Sequence, residues 1–323
     1  MAGNGGDRMI LSVSRRTDIP AFYADWFFTR IAAGYVLVRN PMRYHQVAKI
    51  PLTPDVVDGI VLWTKNPEPM MDRLNLLAPY PYYVQLTLTG YGQDVERHLP
   101  DKDRVMIPRF QRLADLIGPE RVIWRYDPVF INEVYSVQRH LETFDAMARR
   151  LSGYTDTCVF SFMDTYRSTR RNADSLAEGS LCEEDMHRLA EGFAQSARAS
   201  GMTLSSCAEG MDLGQYGIRP SKCVDAARLA RIGGIPLRQT KDKNQRAACG
   251  CDASIDIGVY NTCRNGCLYC YANYDKGKIP QNSSLHDPAS PMLVGCLGPE
   301  DTVYDRVIRS DRRAQTSLLQ EEA

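Results

Sequence analysis

An α/β fold built on a parallel sheet is predicted by three features of the sequence. Short β-type runs alternate with amphipathic stretches, the order expected of repeated βα units. Most of the runs are apolar throughout rather than alternating, which suits strands covered on both faces. A polar cluster follows each run, as it does where a site gathers at the carboxyl ends of parallel strands.

The strand runs are 9–13, 59–63, 83–88, 122–125, 158–162 and 203–207. Helical stretches at 24–33, 103–117, 134–152, 183–200 and 224–232 stop at Gly34, Gly118, Gly153, Gly201 and Gly233–Gly234. A glycine just past a periodic stretch is a C-terminal stop signal. Ser221 is the expected N-cap of the last helix. The polar clusters are Ser14–Asp18, Thr64–Asn66, Thr87–Thr89, Arg125–Asp127, Asp164–Arg167 and Cys207–Glu209. Six strands with five or six helices predict one barrel-like or doubly wound domain over 9–275. Residues 276–323, rich in Pro, Ser and Asp and then charged, form a C-terminal extension expected to pack loosely.

Composition narrows the function classes. Hydrophobic residues make up 44% of 323, enough for a large core, and Lys+Arg and Asp+Glu balance at 39 each. That balance gives no general attraction to nucleic acid or to an anionic membrane, although a local basic groove remains compatible with it. No run approaches membrane-span length, and the first residues lack a signal-peptide core. A cytoplasmic protein is expected.

Of the ten cysteines, none lies in the first 157 residues, and eight lie from Cys207 onward. In the cytoplasm this points to metal or redox use rather than disulfides. Cys263, Cys267 and Cys270 stand in Cys-x3-Cys-x2-Cys spacing, with Gly266 free to turn tightly. Three thiolates can ligate three irons of a [4Fe–4S] cluster and leave the fourth open. The alternative is a zinc knuckle completed by a distant Cys or His.

The pattern Cys263-x3-Cys267-Leu-Tyr269-Cys270 resembles the signature of the radical S-adenosylmethionine (radical SAM) superfamily. The resemblance implies that the open iron binds S-adenosylmethionine, that Tyr269 lies against its adenine, and that reductive cleavage starts radical chemistry on an unknown substrate. It also implies an electron donor such as flavodoxin or ferredoxin. The flanks Tyr260-Asn-Thr-Cys263 and Cys270-Tyr-Ala-Asn273 are most similar to the spore photoproduct lyase-like branch, which makes nucleic-acid repair or modification an alternative. A non-catalytic iron–sulfur or zinc protein is the other. Superfamily members usually carry the motif after their first strand. Here Ser14-Arg15-Arg16-Thr17-Asp18, Thr64-Lys65, Gln85 to Thr89 with Glu96-Arg97, and Arg125-Tyr-Asp127-Pro128 resemble later strand ends of that branch. The resemblance therefore implies a partial parallel β/α barrel in circularly permuted order, with its first strand, about 254–260, supplied last. The whole chain also resembles the family called domain of unknown function 1848 (DUF1848).

By this resemblance Arg15, Arg16, Thr17, Asp18, Lys65, Arg125 and Tyr269 are candidate cofactor-binding residues. A guanidinium can pair a carboxylate with two hydrogen bonds. An Arg–Asp pair closing a barrel end is the plainer reading of Arg15, Arg16 and Asp18. Cys207, Cys223, Cys249 and Cys251 remain as candidates for a second [4Fe–4S] cluster or a zinc. Cys223 is expected to open a helix, where the dipole favours a thiolate. The bland alternative makes Cys207 and Cys223 core residues. Asp127, Asp164 and Glu209 are candidate polar contacts to substrate, and Cys158 a candidate hydrogen-atom donor or simply packing. Trp63, Trp124 and Phe162 are read as core.

Overall fold

The computed structural model describes residues 9–163, 176 and 181–306. The predicted cluster Asp164–Arg167 lies outside the described residues. Among them the strands are β1 (Ile10–Val13), β2 (Tyr35–Arg39), β3 (Gln46–Pro51), β4 (Gly59–Thr64), β5 (Tyr82–Thr87), β6 (Val122–Val129), β7 (Thr157–Phe162), β8 (Thr203–Ser206), β9 (Arg219–Pro220), β10 (Ile255–Asp256) and β11 (Thr302–Asp305). Eight form one sheet in the order β10–β1–β4–β5–β6–β7–β8–β9. Every neighbouring pair is parallel. This mixed α/β architecture is compatible with a partial β/α barrel. The late strand β10 lies beside the first, with Leu11 opposite Ile255 and Ser12 opposite Asp256.

Strand side chains alternate between faces, and each face has its own cover. Leu11, Leu62, Val84, Trp124, Cys158 and Phe160 belong to the large core shared with the helices Ala24–Ala33, Ile107–Ile117, Val137–Leu151 and Glu183–Ala199. Trp124 stacks on Phe144 at 4.7 Å, and Phe144 on Phe193 at 4.3 Å, so β6 and two helices share one aromatic column. On the other face Ile10, Val61, Tyr83, Ile123 and Val159 pack against Val224, Ala226 and Leu229. The short helix Ala226–Gly233 thus fills the inner side of the sheet.

Local chemistry explains where the helices depart from expectation. The predicted 103–117 helix is a π-turn, Lys102–Met106, followed by an α-helix from Ile107, with Pro108 in its first turn. Proline lacks the N–H and crowds the preceding turn, so it sits at a helix start. The helix expected from 134 starts at Val137, because the Ser136 hydroxyl accepts from Arg139 N–H. The helix expected over 224–232 is capped by Asp225, not Ser221: its carboxylate takes the N–H groups of Ala227 and Arg228. Cys223 therefore precedes the helix rather than opening it.

The segment after 276 does not pack loosely up to residue 306. β2 and β3 form an antiparallel hairpin, and β11 adds to β3 in parallel. Buried Met292 and Leu293, the Arg39–Asp301 ion pair, and bonds from Trp26 and Arg30 to Ser290 and Ala289 carbonyls dock it.

Candidate functional site

β10 leads directly into the three-cysteine loop, and one carboxylate fixes that junction. Asp256 accepts from the Ser12 and Ser14 hydroxyls at 2.9 and 2.6 Å, from Arg15 N–H at 2.8 Å and from Gly258 N–H at 2.9 Å. The loop then closes on itself. Asn261, at φ 57°, donates its N–H to the Ala272 carbonyl, and the Asn273 amide donates to the Cys263 carbonyl at 2.8 Å. Gly266, at φ 71°, allows the turn between Cys263 and Cys267. Outside contacts hold the loop against the strand ends: Tyr23 hydroxyl donates to Thr262 carbonyl at 2.7 Å, and Leu268 N–H donates to Val95 carbonyl.

Asp18 joins three segments. Its buried carboxylate accepts from Thr64 hydroxyl at 2.7 Å, Lys65 N–H at 2.8 Å, Asn265 amide at 2.9 Å and Ala21 N–H at 3.0 Å. Burial raises its pKa, and those donors oppose the rise. Both oxygens are engaged, so Asp18 positions the β4 end against the cysteine loop.

The three thiols lie among backbone donors and beside a cluster of charged side chains. Cys263 and Cys267 are buried and Cys270 is half-buried. Asn265 N–H points at the Cys263 sulfur, and Ala272 and Asn273 N–H at the Cys270 sulfur. Burial pushes all three thiols up, Cys267 to about 12, so a metal would have to displace their protons. Compensating charge stands beside Cys267. Lys65 and Lys102 both pair with the buried Glu96, leaving one excess positive charge. Burial opposes the Glu96 charge, yet the two ammonium groups outweigh it and lower its pKa to about 2. Tyr269 completes the group, its hydroxyl meeting Glu96 and, at 2.7 Å, Lys65.

Arg15, whose carbonyl accepts from the Tyr271 hydroxyl of this loop, lies beside Trp63, and Trp63 beside Arg125. The Trp63 ring, half-buried and packed against the inner-face cluster, has the Arg15 and Arg125 guanidiniums each 5.4 Å from its centroid. Trp124 and Phe162 are core. Arg125 pairs with Asp127, which also accepts from Ser161. Arg16 reaches the Gly258 carbonyl at 3.4 Å. Two buried polar atoms on the loop after β1, Arg15 Nη2 and Thr17 Oγ1, have no partner. Unpaired buried polar atoms are rare and mark a place for a ligand or water. Glu209 accepts from Phe162 N–H at 2.8 Å. Cys158 is on the opposite face, within the helix-covered core.

The second thiol group also converges. Cys207 and Cys223 sulfurs are 3.1 Å apart, Arg125 Nη1 donates to Cys223 at 2.9 Å, and Val224 N–H donates to Cys251 at 3.4 Å. Cys251 shares hydrogen bonds with Cys223 and Cys249, linking all four. Among the described residues no three His, Cys, Asp or Glu close around a point that would hold a single metal ion. None of the helices there is long and apolar enough to cross a membrane.

Sequence reasoning gave no role to Asp256, Glu96, Lys102 or Asn265. The signal for Asp256 is a lone carboxylate between Ile255 and Ile257, in an apolar strand. Glu96, in the loop after β5, and Lys102, which opens the π-turn, have nothing in their spacing to mark burial.

Fold and site together define an α/β protein with a cysteine-lined site at the carboxyl ends of parallel strands. The family model described as domain of unknown function (DUF1848) matches residues 10–272, and the chain belongs to that family. No curated protein and no solved structure matches it.

Proposed function

We propose that the chain is a radical S-adenosylmethionine enzyme in which Cys263, Cys267 and Cys270 hold a [4Fe–4S] cluster. The observation that carries this reading is the three-cysteine loop itself. Its thiols are buried, backbone N–H groups point at two sulfurs, and an excess positive charge stands beside the third. Hydrogen bonds to sulfur and local charge are what tune such a cluster. The fold reading that goes with it is a radical SAM barrel in permuted order, with β10 as its first strand.

Held by Cys263, Cys267 and Cys270, the cluster would supply one-electron reduction of S-adenosylmethionine, the chemistry that would initiate hydrogen abstraction from the substrate. The chain's own residues bind and orient. Arg15 Nη2 and Thr17 Oγ1 are the unpaired groups available to the cofactor's polar atoms. Lys65 and Tyr269 hold the side of the site nearest Cys267, and Asp18 fixes the loop. Arg125 and Trp63 are the residues on the inner face of the sheet that we assign to the substrate side, with Asp127 holding the guanidinium. A flavodoxin or ferredoxin would supply the electron, and the cytoplasm would keep the thiols reduced.

Electron paramagnetic resonance of the anaerobically reconstituted, reduced protein tests this reading. Adding S-adenosylmethionine should shift the signal in the wild type, and the triple Cys→Ala variant at 263, 267 and 270 should lack the shifted signal. A wild-type signal indifferent to S-adenosylmethionine would overturn it.

A further inference from the structure

We infer that Cys207, Cys223, Cys249 and Cys251 hold a second iron–sulfur cluster, separate from the three-cysteine loop. The four thiols come from three places in the chain: the end of β8, the segment before the inner helix, and the approach to β10. They form one contiguous set, with 3.1 Å between Cys207 and Cys223 and hydrogen bonds onward to Cys251 and Cys249. That Cys207–Cys223 separation exceeds the roughly 2.05 Å of a disulfide bond. All four thiols are free.

Their surroundings are not those of cysteines used only as small apolar side chains. Buried Arg125 donates to the Cys223 sulfur at 2.9 Å, and Val224 N–H donates to Cys251. The Arg15 guanidinium interacts electrostatically with both Cys251 and Cys223. Donors and cations of this kind stabilise thiolates. Two fixed groups hold the Cys223 backbone: Tyr83 hydroxyl and Gln85 amide both donate to its carbonyl, at 2.6 and 2.9 Å. The β5 side chains thus aim this segment at the sheet's inner face.

The nature of the group follows from the arrangement. A tetrahedral zinc needs its ligands around one point, and no three of these thiols meet that condition. A cubane takes four thiolates, and these cysteines supply that number, their sulfurs moving apart from their present hydrogen-bonding distances around it. With every iron ligated by protein, no position stays open for substrate, so the centre's role is to accept and pass on one electron. Arg15, stacked on Trp63, stands between it and the three-cysteine loop, where Tyr271 hydroxyl donates to the Arg15 carbonyl.

Iron and sulfide analysis of full-length protein reconstituted anaerobically tests this. About eight irons per chain are expected in the wild type, and about four in the Cys263/Cys267/Cys270→Ala variant. The latter should keep a reducible signal that S-adenosylmethionine does not shift. The Cys207/Cys223/Cys249/Cys251→Ser variant should also bind about four. The first variant spares all four thiols, so the answer does not depend on the second one folding. A first variant that binds no iron, carries a single zinc, or holds a Cys207–Cys223 disulfide would overturn the inference. Failure of the radical SAM reading looks different: the first variant would then keep the wild-type iron content.

Discussion

The Asn265 amide donates to the Asp18 carboxylate at 2.9 Å across 247 residues of sequence. Through this contact the loop after β1 grips the loop after β10. Cutting it should loosen the three-cysteine loop before it unfolds the sheet. In Asp18→Asn the new NH2 group must face a donor, whichever way the amide turns. We expect a loss of about 1–3 kcal/mol, the scale of one unsatisfied buried group. Thermal unfolding checks this, and reconstituted iron should fall with it. An unchanged Tm would show that Asp18 is not the clamp.

Glu96 makes acid stability a readout of the lysine pair. Its folded pKa, about 2, lies below the ordinary 4.5, so its contribution is complete above pH 4.5 and is lost as pH falls toward 2. Glu96→Gln should flatten the stability profile across that window. At neutral pH the variant should be less stable by about 3 kcal/mol, since two buried ammonium groups lose their only shared carboxylate. Denaturant titrations from pH 2.5 to 7 measure both effects.

Much of this architecture was legible in the sequence. The apolar runs at 59–63 and 122–125 became β4 and the start of β6 because strands covered on both faces carry no polar alternation. The strand before Cys263 was found through its motif, and β10 lies beside β1. The hairpin β2–β3 was missed. Its partner β11 lies some 250 residues further along, and pairing at that distance leaves no local pattern. Trp63 and Trp124 read alike in sequence. Only the face each takes on its strand puts Trp124 in the large core and Trp63 beside the inner-face cluster.

Close approach at the β10 junction gives a third prediction. A Cβ on Gly258 would land on the Ser14 side chain, which is itself bound to Asp256. Gly258→Ala should therefore destabilise the protein by about 1–3 kcal/mol, the cost of overpacking. Gly210→Ala, where a Cβ meets nothing within 4 Å, should stay within about 0.5 kcal/mol. Equal effects from the two would remove the β10 junction from the account.

Arg15 carries an unpaired buried Nη2 beside the Trp63 face. Arg15→Lys keeps the charge and loses the planar donor fork. We expect S-adenosylmethionine binding to weaken about tenfold in Arg15→Lys and about a hundredfold in Arg15→Ala, as loss of charge-assisted bonds implies. Anaerobic calorimetry reads the affinities, and unchanged Kd values would place the cofactor elsewhere.

The central claim is that Cys263, Cys267 and Cys270 serve S-adenosylmethionine cleavage, and product formation tests it most directly. Protein reconstituted under anaerobic conditions is reduced with dithionite in the presence of S-adenosylmethionine, and deoxyadenosine is measured by chromatography. Deoxyadenosine is expected from the wild type and none above background from the triple Cys→Ala variant. A wild type with its full iron content that forms no deoxyadenosine, or a triple variant that forms as much, would contradict it.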